Sequence, residues 1–99
     1  MNFEIIFSPK VRDEMHEMKQ DHGMERYLKD IHKALEYLAH DPKHPGLHTH
    51  KNADLEGANG EEVFEAYAEN NSPGAYRIFW HYGPGRAVIT VIDIIRHPK

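Results

Sequence analysis

The last third of the chain constrains the fold most. Ala75-Tyr76-Arg77-Ile78-Phe79-Trp80-His81-Tyr82 is an aromatic and β-branched run, Gly83-Pro84-Gly85 is a turn, and Arg86 to His97 is a second, more apolar run. Two such runs around a Pro/Gly turn specify a β-hairpin. Strands this apolar belong at the centre of a sheet. Arg77 interrupts the first strand near its start, and His97 sits at the exit of the second. A guanidinium on a central strand needs an anionic partner or a groove to point into, because an unpaired buried charge is too costly. Within the chain, Glu65 and Asp93 are candidate partners; a phosphate is the candidate from outside.

The rest of the chain supplies a scaffold for this hairpin. Residues 2–7 alternate, with Phe3, Ile5 and Phe7 on one face, and predict a short first strand. Ser8-Pro9 is an N-cap followed by proline at the first helical position. Val11, Met15 and Met18 then make the apolar stripe of a helix that Asp21-His22-Gly23 ends. A second helix is predicted from Met24 to His40, where Met24, Tyr27, Leu28, Ile31, Leu35 and Leu38 repeat at the helical period. Asp41-Pro42 stops it, since the residue before proline disfavours the helical region. The two helices read as an αα-hairpin.

Pro42 to Gly60 reads as a long irregular loop carrying His44, His48 and His50 with Lys43 and Lys51. Loops of that length are more often functional than average. Leu47 and Leu55 are expected to pin it to the core. Residues 61–69 alternate again, with Phe64, Ala66 and Ala68 one way and Val63, Glu65, Tyr67 and Glu69 the other. On the hairpin, Tyr76, Ile78, Trp80 and Tyr82 share one face; Arg77, Phe79 and His81 share the opposite one. Val88, Thr90, Ile92 and Ile94 are expected to alternate strictly with Ile89, Val91, Asp93, Ile95 and His97. The expectation is therefore one α+β domain over 1–99, in the order β-α-α-β-β-β. Two layers follow, with the helical hairpin packed on one face of a mainly antiparallel four-stranded sheet and the other face partly open.

Composition narrows the function. The formal net charge is −4 with histidine neutral. A protein that grips phosphates usually carries excess Lys and Arg, so any contact with nucleic acid must rest on a local basic patch or on the nine histidines. No cysteine is present, which excludes disulfides and thiolate metal sites. His48-x-His50, with His40 and His44 nearby, lacks a His-Glu-x-x-His helix or a carboxylate-rich pattern, so no metal or other cofactor is expected. No signal-like or membrane-spanning stretch stands out, and a cytoplasmic protein without membrane contact is expected.

Several segments carry a family resemblance. They are Leu35-Glu36-Tyr37-Leu38-Ala39-His40-Asp41-Pro42, Pro45-Gly46-Leu47-His48, Tyr76-Arg77-Ile78-Phe79-Trp80 and Ile94-Ile95-Arg96-His97. With the element order, they resemble the RelE/ParE superfamily of type II toxin–antitoxin systems, RelE-like more than ParE-like. The resemblance implies a toxin with a cognate antitoxin partner, forming a toxin–antitoxin hetero-oligomer. A RelE-like member would cut mRNA on the ribosome without a metal; a ParE-like one would inhibit DNA gyrase without nuclease chemistry, and a third alternative is a toxin-fold domain that only binds its antitoxin.

Cleavage through the 2′-hydroxyl needs a base, an acid and charge stabilisation of the phosphorane. The resemblance assigns Arg77 to the phosphate, since its planar donor fork suits phosphate oxygens. It assigns His97 to proton transfer. His50 is a candidate base in the loop. His48, Lys51, Glu65 and His81 are candidates for the substrate groove, Glu65 alternatively pairing with Arg77 or acting as base. The opposing reading makes Arg77 a structural ion pair and the loop residues merely solvated.

Overall fold

The computed structural model describes residues 2–69 and 75–96. Its elements are β1 (Glu4–Phe7), α1 (Pro9–Lys19), α2 (Glu25–His40), β2 (His50–Glu56), β3 (Glu62–Tyr67), β4 (Tyr76–Tyr82) and β5 (Val88–Arg96), with 3₁₀ turns at His22–Met24 and Pro45–Leu47. The sheet has five strands in the order β1-β5-β4-β3-β2. β1 runs parallel to β5 and every other pairing is antiparallel. The expected four-stranded sheet thus gains a strand: β2 comes from the stretch read as loop. That stretch lacks the apolar alternation of a half-buried strand, and β2 is an almost fully exposed edge.

α1 begins at a side-chain cap, whereas α2 follows directly from a capped 3₁₀ turn. The Ser8 hydroxyl accepts the Val11 N–H at 3.3 Å, and Pro9 occupies the first turn, where its missing donor costs nothing. Asp21 caps the 3₁₀ turn through the Gly23 N–H at 2.9 Å. Leu28, Ile31, Ala34, Leu35 and Leu38 form the buried face of α2. They meet Val11 and Met15 of α1 and the sheet residues Ala66, Ile78, Trp80, Ile89, Val91 and Ile94 in one core. Each fully buried aliphatic side chain there contributes about 1.5–3 kcal/mol relative to exposure. Leu47 joins this core, fully buried, and fixes the Pro45–Leu47 turn against it. Leu55 does not; it is 38% exposed.

Strict alternation fails in β5. Phe79 pairs with Asp93 but Trp80 pairs with Val91, so Ile92 is an extra residue in a bulge. The bulge lets Ile89, Val91 and Ile94 all reach the core, which a uniform period of two forbids. At the hairpin turn, Gly83 and Gly85 have φ of 88° and 87°, a region open to glycine at no steric cost. The Gly83 N–H closes the turn on the Val88 carbonyl at 2.7 Å.

Candidate functional site

Sheet register assembles a polar cluster on the face away from the helices. His50 stands opposite Glu65, and Tyr67 opposite Arg77. Glu65 and Tyr67 are two apart on β3, so all four side chains leave the same face. His50 Nε2 lies 3.6 Å from Glu65 Oε1, and Arg77 Nε lies 3.7 Å from Glu65 Oε2. Asn52 Nδ2 donates to Glu65 Oε1 at 3.4 Å. The carboxylate therefore sits between an imidazole and a guanidinium, largely shielded from water.

Arg77 is held on three sides. Its Cζ is 3.6 Å from the centroid of the Tyr67 ring, a close cation–π contact. A terminal nitrogen donates to the Glu69 carbonyl at 3.2 Å. Nε is buried without a hydrogen bond, because 3.7 Å to Glu65 is ion-pair distance only. The residue is 8% exposed. Of the two candidate partners within the chain, Glu65 takes Arg77; Asp93 instead pairs with Lys10 at 3.0 Å. That hydrogen bond raises the Lys10 pKa.

His50 faces outward from the edge strand. Its Nδ1 is 3.1 Å from the His48 carbonyl, which can only accept, so Nδ1 carries the hydrogen. Nε2 is the nitrogen turned toward Glu65. The His48 and His50 rings both lie against Tyr67, with centroids 5.2 and 5.9 Å away. His48 adopts a left-handed backbone (φ 48°) at the end of the Pro45–Leu47 turn. His44 anchors that turn on α2, stacked on Tyr37 at 4.0 Å and accepting the Gly46 N–H.

Two of the residues expected beside Arg77 do not join this polar cluster. Lys51 stands opposite Phe64, so it leaves the helix-side face, and it pairs with Glu62 at 3.1 Å. His81 shares the face of Arg77 but is 5% exposed, and its Nδ1 donates to the Tyr82 carbonyl at 2.8 Å. The β2–β3 turn covers it: a Cβ on Gly57 would meet the His81 ring edge at 3.0 Å and would collide with the Glu61 carboxylate. His97 lies outside the described residues. Tyr67 and Asn52 join the site without having been singled out in the sequence. The parity of Tyr67 with Glu65 was a usable signal; the Glu69 carbonyl, a backbone group, left none. Among the described residues, no group of three or more His, Asp or Glu is arranged to hold a metal ion.

No family model matches the chain, and no curated protein matches its sequence. Among solved structures, the chain is similar to a chain of the archaeal RelE–RelB complex from Pyrococcus horikoshii OT3. The TM-score is 0.67 at 14% identity, covering 97% of this chain and 96% of that one. The fold is therefore RelE-like, α+β with a helical hairpin on a mainly antiparallel sheet. Among the described residues, no helix is long and apolar enough to cross a membrane.

Proposed function

We propose that residues 1–99 form the toxin half of a type II toxin–antitoxin pair, an endoribonuclease that cuts mRNA on the ribosome without a metal. The RelE-like fold supports the toxin class, and the neighbour's complex with RelB supports a cognate antitoxin as partner. One observation carries the nuclease chemistry: the Glu65 carboxylate lies 3.6 Å from the half-exposed His50 and 3.7 Å from the buried Arg77.

In this reading Glu65 takes the proton of the RNA 2′-hydroxyl, directly or through His50 Nε2. The 2′-oxygen then bonds to phosphorus and the bond to the 5′-oxygen breaks, leaving a 2′,3′-cyclic phosphate. The leaving 5′-oxygen needs a proton from the opposite side of the phosphorus, because the displacement is in line. His50 and Glu65 are too close together to serve both sides. The acid role belongs to His97, assigned from the family resemblance. Arg77 orients Glu65 and places positive charge behind the phosphate; it is not positioned as a free fork.

The same burial of Arg77 favours a second reading, a toxin-fold domain without nuclease activity or a gyrase inhibitor. Induced expression separates them. Growth arrest with new ribosome-dependent mRNA 5′ ends, lost in Glu65→Gln and His50→Ala, is the expected result. Arrest with intact mRNA and an SOS response would move the protein to the gyrase side. No arrest from a folded product would leave only antitoxin binding.

A further inference from the structure

On the helix-side face, across the β2 edge from the polar cluster, the Pro42–Lys51 segment borders a groove of about 590 Å³. Its floor is aromatic. Phe64 and Trp80 stack at 5.0 Å, and Tyr82 meets them edge-on at 5.7 and 4.9 Å. Trp80 is buried, but Tyr82 is 42% exposed and offers its ring to a ligand. The rim carries Lys43, His44 and Lys51, while Asp41 lies near Tyr82: burial and then the Asp41 charge push the Tyr82 phenol up. Lys51 is shared with Glu62, whereas Lys43 makes no ion pair among the described residues. His48 and His50 belong to both the groove and the polar cluster. On a chain of net charge −4, this is a local cationic site with a stacking surface.

That combination fits one ligand chemistry. An acidic peptide would use the charge but not need an exposed ring, and an aliphatic one would not use the charge. A single-stranded nucleic acid uses both, because every base has a π-face and every linkage a phosphate. We propose that the groove seats one unpaired base of an RNA strand against Tyr82, with its phosphate toward Lys43 and Lys51. The neighbouring linkage then crosses the β2 edge at His50, which borders both the groove and the polar cluster. This deepens the nuclease reading and rests on it for the choice of RNA.

Trp80 is the sole tryptophan and lies in the floor, so its fluorescence reports the groove directly. The test titrates the whole chain with a short 2′-O-methyl oligonucleotide, which binds as RNA does but cannot be cut. Saturable quenching is expected, weakened about tenfold by Tyr82→Ala and retained in Tyr82→Phe. Lys43→Ala should weaken binding and flatten its salt dependence. Thermal unfolding of each variant separates lost binding from lost fold. Quenching by a poly-glutamate peptide but not by the oligonucleotide would overturn the proposal in favour of a protein segment. Equal binding of an oligonucleotide made abasic throughout would overturn it as well. A wild type that cuts mRNA while ignoring Tyr82→Ala sinks the groove alone. One that binds through Tyr82 but never cuts sinks the nuclease reading alone.

Discussion

Arg77 lies over Tyr67 across the β3–β4 register, its Cζ 3.6 Å from the ring centroid, with Glu65 the next residue along that face of β3. The guanidinium is thus compensated for lost water by the Tyr67 ring, the Glu69 carbonyl and the Glu65 charge together. Arg77→Ala should leave Glu65 shielded and unpaired, lowering stability by about 2–3 kcal/mol. Arg77→Lys should lose less, since it keeps the charge but not the planar stacking. Chemical denaturation of the two variants measures this. Equal stability of Arg77→Ala and wild type would show the pair to be incidental. Any loss of activity in Arg77→Ala must therefore be read beside its stability.

His50 should behave oppositely. It is exposed, so His50→Ala should change stability by no more than about 0.5 kcal/mol. Its removal should slow cleavage by about 10²-fold or more if it serves in proton transfer. Ribosome-dependent cleavage rates on one mRNA test this. A variant as active as wild type would exclude His50 from the chemistry.

Gly57 is required by close approach. A methyl group there would displace the Glu61 carboxylate, which accepts the Asn59 N–H at 2.9 Å, and would press on His81. Gly57→Ala should cost about 1–3 kcal/mol by overpacking. Those backbone hydrogen bonds hold the Glu61 pKa below its ordinary value. A depressed carboxylate contributes stability above its unfolded pKa and loses it as pH falls through the folded one. The stability gap between wild type and Gly57→Ala should therefore narrow in acid. Thermal unfolding across pH is the measurement.

Glu14 has the reverse sign. Burial pushes its pKa up, and the Asp93 charge adds to the effect. Its Oε1 is buried without a hydrogen bond. A raised carboxylate binds protons more tightly in the folded chain, so stability falls as pH rises from the unfolded pKa through the folded one. Glu14→Gln should stabilise the protein by about 0.5 kcal/mol at pH 7 and by nothing below that window. An unchanged unfolding midpoint at neutral pH would refute the argument.

By itself, the sequence determined the helices, the central hairpin and the side of the sheet each takes. Those rest on local rules: the Ser8-Pro9 cap, the repeat through Leu28, Ile31, Leu35 and Leu38, and the alternation of Phe3, Ile5 and Phe7. It also placed Glu65 with Tyr67, and Arg77 with His81, on one face of their own strands, since parity is local; that the two faces coincide is set by the β3–β4 register. Only the tertiary structure decided the rest. β2 is an edge strand held by register with β3 rather than by burying an apolar face, so residues 50–56 carry no strand-like pattern. The bulge at Ile92 exists because Ile89, Val91 and Ile94 all gain by entering the core. Glu65 rather than Asp93 meets Arg77 because Lys10, distant in sequence, claims Asp93. The turn over His81 and the ring beneath Arg77 likewise depend on which strands become neighbours, and neighbourhood is set by the whole sheet.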